Sequence, residues 1–318
     1  MPPSGYFAAT IQLSPFSEDH AMRPDSLAVL GLGAIGGSVA WQARRAGVSR
    51  VIGYSRSRHD AVQALRSGAV SDLADTPAAA VAVADLVVIA TPPAAIRDLL
   101  AAIASGPSSR ALVTDVASVK SPVMRWAHEA GLDHRFAGSH PFAGTHVEGW
   151  AGASPGLFRG AVVYVVATGA SGESAAREVV DFWRSVMEAD PVLIDAESHD
   201  TQLAWTSHLP QAMASALARA VGGELALRGV TWGSGIRDCT RIAASPPEAW
   251  VDILLLNRSA VLRAIQAFQS QVGELQEILA SGDRERLHGW LEGASGIRRG
   301  VEPIAGAAQT VVTPPGGQ

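Results

Sequence analysis

Cysteine is almost absent from this chain: Cys239 is the one example in 318 residues. A lone thiol excludes an intrachain disulfide framework and a cysteine-based zinc site. It fits a reducing compartment, so a cytoplasmic location is expected. Lysine is equally scarce, with Lys120 alone. No apolar run reaches the roughly 18 residues that a membrane helix needs. Positive charge is not in excess: Lys and Arg total 25 against 30 Asp and Glu, for a net −5. That balance argues against an electrostatic footprint for nucleic acid. Residues 1–25 are rich in Pro, Ser and Gly, lack a signal-peptide core, and read as a disordered leader. Residues 300–318, with Pro314-Pro315-Gly316-Gly317, read as a disordered tail. No metal site is expected. What is there, 47% hydrophobic and 17% charged residues, suffices for a sizeable core and two domains.

The first domain is expected over 26–194. Leu27–Leu30, Arg50–Tyr54, Leu86–Ala90, Ala111–Asp115 and Val162–Val166 are short apolar runs separated by helical patterns. Continuous Val, Ile and Leu without alternation suits a parallel sheet covered on both faces. The expected class is α/β, a doubly wound Rossmann-type parallel-sheet domain. After Pro191–Ile194 no strand signal remains, so an all-helical C-terminal domain is expected over 195–299. Asp195 can cap its first helix, with Glu197 in the first turn. Pro210 removes an N–H inside this helical stretch and predicts a kink beside Thr206. Farther on, Val261, Ile265, Phe268, Val272, Leu275 and Leu279 form one apolar stripe at helical spacing. It suits either a buried intradomain helix or a dimer interface.

Gly31-x-Gly33-x-x-Gly36 directly follows the first strand and opens a helix. The first glycine allows a tight turn, the second lets a pyrophosphate approach the backbone, and the third allows close helix packing. The helix N-terminus attracts the anion. Gly31, Gly33, Ala34, Ile35 and Gly36 therefore read as a dinucleotide site, with a purely structural turn as the alternative. Thr91 and Pro92, after the strand ending at Ala90, join the set. An NAD site usually places an acid at the end of the second strand, to bind the ribose 2′-OH. Here Tyr54 is followed by Ser55, Arg56, Ser57 and Arg58, with no acid before Asp60. Ser55, Arg56 and Arg58 suit a 2′-phosphate, so NADP is expected over NAD. Otherwise these arginines are solvated loop charges.

Asp115-Val116-Ala117-Ser118-Val119-Lys120 lies at the carboxyl end of a strand, where ligands of open α/β sheets bind. Ser118 can hydrogen-bond a substrate hydroxyl, or cap a helix starting near Val119. His140 follows the next short strand, in a Gly-flanked loop at the same sheet edge. Its imidazole suits proton abstraction from an alcohol, although a lone His is more often structural.

The glycine loop, Asp115-Val116-x-Ser118-x-Lys120 and Ser139-His140-Pro141-x-x-Gly144-Thr145, in this order, resemble the prephenate/arogenate (cyclohexadienyl) dehydrogenases of tyrosine biosynthesis. His199-Asp200, Ser207-His208-Leu209-Pro210 and the segment from Gly233 to Ala243 agree. The resemblance spans about Leu27 to Arg299. It implies NAD(P)-dependent oxidative decarboxylation: hydride leaves a ring carbinol carbon, His140 takes the hydroxyl proton, and the dienone loses CO2 as it aromatises. It implies catalytic roles for His140 and Ser118. Arg241 would orient the ring carboxylate, and Thr145, His208, Gln211 and Arg237 would complete the substrate site. Arg241 and Arg237 read otherwise as surface charges, Arg241 paired with Asp238 or Glu248.

Two positions depart from the family pattern. Gln211 stands where many members have His, and His146 where many have Glu. Both bear on prephenate against arogenate. A homodimer through the helical domain is also implied. The resemblance leaves no stretch of this sequence for a fused chorismate mutase or ACT-type domain, so tyrosine inhibition is expected at the active site. The alternatives are an NADP-dependent reductase of the β-hydroxyacid dehydrogenase or imine reductase type, or a non-catalytic NADP sensor. The former usually draw a Lys from the helical domain, and Lys120 lies outside it.

Overall fold

The β-branched and leucine-rich runs do form the strands. The computed structural model describes residues 23–106, 110–145, 147–225 and 231–300. In order these are β1 (Ser26–Leu30), α1 (Ala34–Arg45), β2 (Arg50–Tyr54), α2 (Arg58–Arg66), β3 (Asp72–Leu73), α3 (Pro77–Val81), β4 (Leu86–Ile89), α4 (Pro93–Ser105), β5 (Leu112–Asp115), α5 (Ser121–Glu129), β6 (Phe136–Pro141), β7 (Val162–Ala167), α6 (Glu173–Ser185) and β8 (Asp190–Leu193). Helices follow: α7 (Ala196–Leu203), α8 (Leu209–Leu225), α9 (Ser234–Thr240), α10 (Pro247–Leu256), α11 (Arg258–Ser281) and α12 (Arg284–Gly300). Among the described residues no strand follows Leu193. The expected leader and tail fall almost wholly outside the described residues, as does His146.

The strand order is β3-β2-β1-β4-β5-β6-β7-β8. Strands β1 to β6 are parallel in the doubly wound order, but β7 runs antiparallel to β6. The sheet is therefore mixed rather than all-parallel. Among its described residues the link between β6 and β7 holds a short 3-10 turn at Trp150–Gly152 and no α-helix to make a parallel crossover. β8 returns parallel to β7 through α6. Successive residues of β1 face opposite layers: Leu27 and Val29 enter one core with Val39, Phe182 and Trp183, and Ala28 and Leu30 enter the other with Ile96, Leu100 and Val123. Burial on both faces explains the unbroken apolar runs.

Residues 1–262 form one compact unit and 263–318 another. The apolar stripe lies on α11, where Val261 is buried but Phe268, Val272 and Leu279 are exposed on the single chain.

Candidate active site

Gly31 follows β1 with φ of +104°, and a Cβ there would lie 2.4 Å from the Ala90 carbonyl oxygen. A Cβ on Gly36 would collide with the Gly31 carbonyl, whereas Gly33 faces open space. The turn is thus closed by two glycines and approachable at the third. No side chain caps the amino end of α1, so its N–H groups are open to an anion. Ala34 and Ile35 form its first turn. On the other side of the switch between β1 and β4 stands Thr91, whose hydroxyl is buried without a hydrogen-bond partner among the described residues. Pro92 caps α4 beside it. These features fit a dinucleotide.

Ser55, Arg56 and Arg58 extend from the end of β2. Both arginines are exposed and form no ion pair among the described residues. The nearby acid, Asp60, accepts the Trp150 N–H at 3.0 Å. The segment after β6 is strapped to α1 as well: Ser154 N–H donates to Ser38 Oγ at 2.9 Å. Thr145 is part of this strap. It is exposed, and its hydroxyl accepts the Val147 N–H at 3.1 Å.

β6 pairs with β5 through Thr114 and Ala137, so three residues farther along, His140 stands level with the Ser118 segment. His140 lies within β6 rather than after it, opposite Tyr164 of β7. Ser118 does not cap a helix: α5 begins at Ser121, and the cap comes from another element. Asp200 of α7 accepts the N–H of Lys120 at 2.7 Å and of Ser121 at 2.8 Å. The partly exposed Ser118 hydroxyl has no hydrogen bond to a described residue.

The same carboxylate starts a relay. His199 Nδ1 lies 2.8 Å from Asp200 Oδ1, and His199 Nε2 lies 2.9 Å from His140 Nδ1. Burial alone would raise the Asp200 carboxyl, but hydrogen bonds from His199, Ser121 and Lys120 outweigh it and hold it below the usual range. A carboxylate only accepts, so His199 carries its proton on Nδ1 and accepts with Nε2. His140 must then donate from Nδ1, which leaves its Nε2 as a free lone pair. Burial first, then His199, Lys120 and His208, push the His140 pKa well below its ordinary value. The imidazole is therefore neutral near pH 7, as a general base requires. Tyr164 packs edge-on to His199, and its hydroxyl accepts from Gln202 Nε2 at 2.6 Å. Phe142 flanks His140 at a ring distance of 5.8 Å.

Beneath the relay Lys120, 0% exposed, bonds Asp115 Oδ2 at 2.5 Å and the Ser139 carbonyl at 2.7 Å. Burial lowers the Lys120 pKa, and Asp115 opposes this. Asp115 also accepts the N–H groups of Ala117 and Ser139. One ion pair thus ties the Ser118 segment to the His140 strand.

The helical elements supply the rest. The expected kink before Pro210 is instead a π-helical turn over Ala204–His208, in which Leu209 N–H reaches the Ala204 carbonyl. The wider turn accommodates the missing N–H. His208 is fully buried, with Nε2 unpartnered among the described residues. Burial lowers its pKa to about 4. Gln211 is buried in the first turn of α8. Arg241 begins a 3-10 turn that packs on α8, while Arg237 sits on α9. Both are exposed, and the pairing of Arg241 with Asp238 or Glu248 does not form. A separate cavity, lined by Leu132, His134, Arg135 and Glu178, lies at the opposite end of β5 and β6.

Sequence reasoning noted the His199-Asp200 pair without seeing its role. It gave none to the Asp115–Lys120 ion pair. An adjacent His-Asp pair after a capping Asp was the available signal.

Two family models match the chain: prephenate dehydrogenase, nucleotide-binding domain, over residues 39–189, and prephenate dehydrogenase, dimerization domain, over residues 195–293. The chain belongs to the prephenate dehydrogenase family. The dehydrogenase is 32% identical to a prephenate dehydrogenase of Bacillus subtilis, over 87% of this chain and 76% of that protein. It is 31% identical to a cyclohexadienyl dehydrogenase of Zymomonas mobilis, over 82% and 90%. Its fold superposes on Synechocystis arogenate dehydrogenase with a TM-score of 0.73 at 30% identity, covering 86% of this chain and 99% of that one. On an Aquifex aeolicus prephenate dehydrogenase in complex with hydroxyphenyl propionate and NAD+, the TM-score is 0.80 at 27% identity, covering 87% and 98%. The dehydrogenase is thus an NAD(P)-linked oxidoreductase. The expectations of another reductase class or a non-catalytic sensor give way to this finding.

Proposed function

We propose that the dehydrogenase catalyses the oxidative decarboxylation of prephenate or arogenate in tyrosine biosynthesis, with His140 as general base. The observation that carries the reading is the Asp200–His199–His140 relay, which leaves His140 Nε2 unprotonated. A bound nicotinamide would supply the acceptor for the hydride that leaves the carbinol carbon. His140 takes the hydroxyl proton, and the His199 and Asp200 side chains bear part of the positive charge that follows. Ser118 donates or accepts at the same hydroxyl. Arg241, with Arg237 near it in sequence, orients the ring carboxylate through a fixed guanidinium fork. His208, Gln211 and Thr145 complete the substrate site.

Gly31, Gly33, Ala34, Ile35, Gly36, Thr91 and Pro92 hold the cofactor. Ser55, Arg56 and Arg58 favour NADP. We read residues 26–194 as the nucleotide-binding domain and 195–299 as the substrate and dimerisation domain of a cytoplasmic homodimer.

The test is the initial rate, by nicotinamide absorbance, with prephenate or arogenate crossed with NADP or NAD. Turnover of one acid with NADP well above NAD is expected. No turnover of either acid with either cofactor, by folded protein that binds NADP, would overturn the reading.

A further inference from the structure

We propose that Asn257 is a positioning residue that fixes where His208 carries its proton, so that the enzyme meets its substrate with a buried Nε2–H donor. The inference rests on the dehydrogenase reading and deepens it by naming the substrate group addressed, an oxygen acceptor.

Asn257 ends α10 where α11 begins. Its side-chain nitrogen lies 2.7 Å from the Asp200 carbonyl oxygen and 3.0 Å from His208 Nδ1. A carbonyl oxygen can only accept, so the amide atom facing it must be the nitrogen. Turning the amide over would set two oxygens against each other at 2.7 Å. The second amide hydrogen then points to His208 Nδ1, which must accept. A neutral imidazole has one proton, and here it belongs to Nε2.

His208 stays neutral because it is buried. Its Nε2–H has no partner among the described residues. An unpaired buried donor is costly, and it marks a place where a ligand supplies an acceptor: a carboxylate, keto or hydroxyl oxygen of a small acid. Asn257 joins His208 to the Asp200 backbone, and the Asp200 side chain leads through His199 to His140, so the ring belongs to the same buried network as the base. Trp250 packs edge-on to the ring at 6.2 Å and limits its rotation.

The two buried histidines of the helical region are thus set by opposite chemistry. Asp200, an acceptor, forces the proton of His199 onto Nδ1 and prepares a base at His140. Asn257, a donor, forces the proton of His208 onto Nε2 and prepares a hydrogen-bond donor. A carboxylate at 257 would demand the proton on Nδ1, either inverting the tautomer or charging the ring.

The experiment is nitrogen–proton correlation NMR on full-length protein labelled with 15N-histidine, with His208 assigned by the signal lost in His208→Gln. The wild type should show the Nε2–H tautomer at His208, and Asn257→Asp should move it to Nδ1–H or to the imidazolium. In steady-state assays with prephenate and arogenate, Asn257→Leu should raise KM on the order of ten-fold, with kcat changed far less. His208→Gln, which keeps an amide donor, should retain more affinity than His208→Leu. An Nδ1–H tautomer in the wild type, or a fall in kcat at unchanged KM in Asn257→Leu, overturns the proposal. If the Asn257 variants do not fold, the wild-type spectrum and the two His208 variants decide. If neither acid is turned over but the spectrum shows Nε2–H lost in Asn257→Asp, the substrate reading fails and the positioning stands.

Discussion

Replacing His140 by Asn should lower kcat by about 10²–10⁴-fold, the usual contribution of a general base, while binding of the dinucleotide persists. Replacing Arg241 by Ala should mainly raise KM, the signature of lost uniform binding. Two variants with the same pure KM effect would refute this division of roles. The depressed His140 pKa also sets a pH expectation: the acid limb of kcat/KM belongs below 6.5. A limb well above that value would contradict a neutral, buried base. At this scale the placement of His140 and Ser118 at one sheet edge was legible, because their neighbours in sequence carry the motif. The roles of His199 and Asp200 were not. His140 and His199 are 59 positions apart, and only the packing of α7 on β6 and β7 makes them partners.

At the scale of elements, the start of α5 shows how the site is held. Its amides are capped by Asp200 from α7, and the Asp115–Lys120 pair lies beneath it. Lys120→Met leaves a buried carboxylate uncompensated and should cost about 3–5 kcal/mol in urea unfolding. Adding Asp115→Asn should restore part of that loss. A Lys120→Met protein as stable as the wild type would deny the pair its structural role. The alternative reading of Ser118 as a helix cap fails here because a capping partner need not be local. The kink expected from Pro210 became a π turn for a related reason. Proline dictates only which N–H is missing, and the surrounding helices select how the backbone compensates.

For the molecule as a whole, burying uncharged imidazoles makes stability depend on acid. His140, His199 and His208 all have lowered proton affinity in the folded protein. The unfolded chain therefore binds more protons below about 6.5, so their contribution is intact above that pH. It falls as pH drops toward about 4, the folded-state value of His208. The melting temperature should decline through this window, and less so in His208→Gln; identical slopes would refute the assignment. The exposed Phe268, Val272 and Leu279 on α11 argue for a covered face in solution. Light scattering at micromolar concentration should give a dimer, and Val272→Glu should weaken it. A wild-type monomer would remove this expectation.

Much of the protein was determined by short-range pattern alone. Apolar runs, glycine spacing and Asp195 dictated the strands, the cofactor turn and the start of α7, because those depend on contacts within a few residues. Tertiary structure decided the direction of β7, the cap of α5 and the proton positions along Asp200, His199 and His140. Each of these depends on at least one hydrogen bond between residues tens of positions apart, and such partners are chosen by packing.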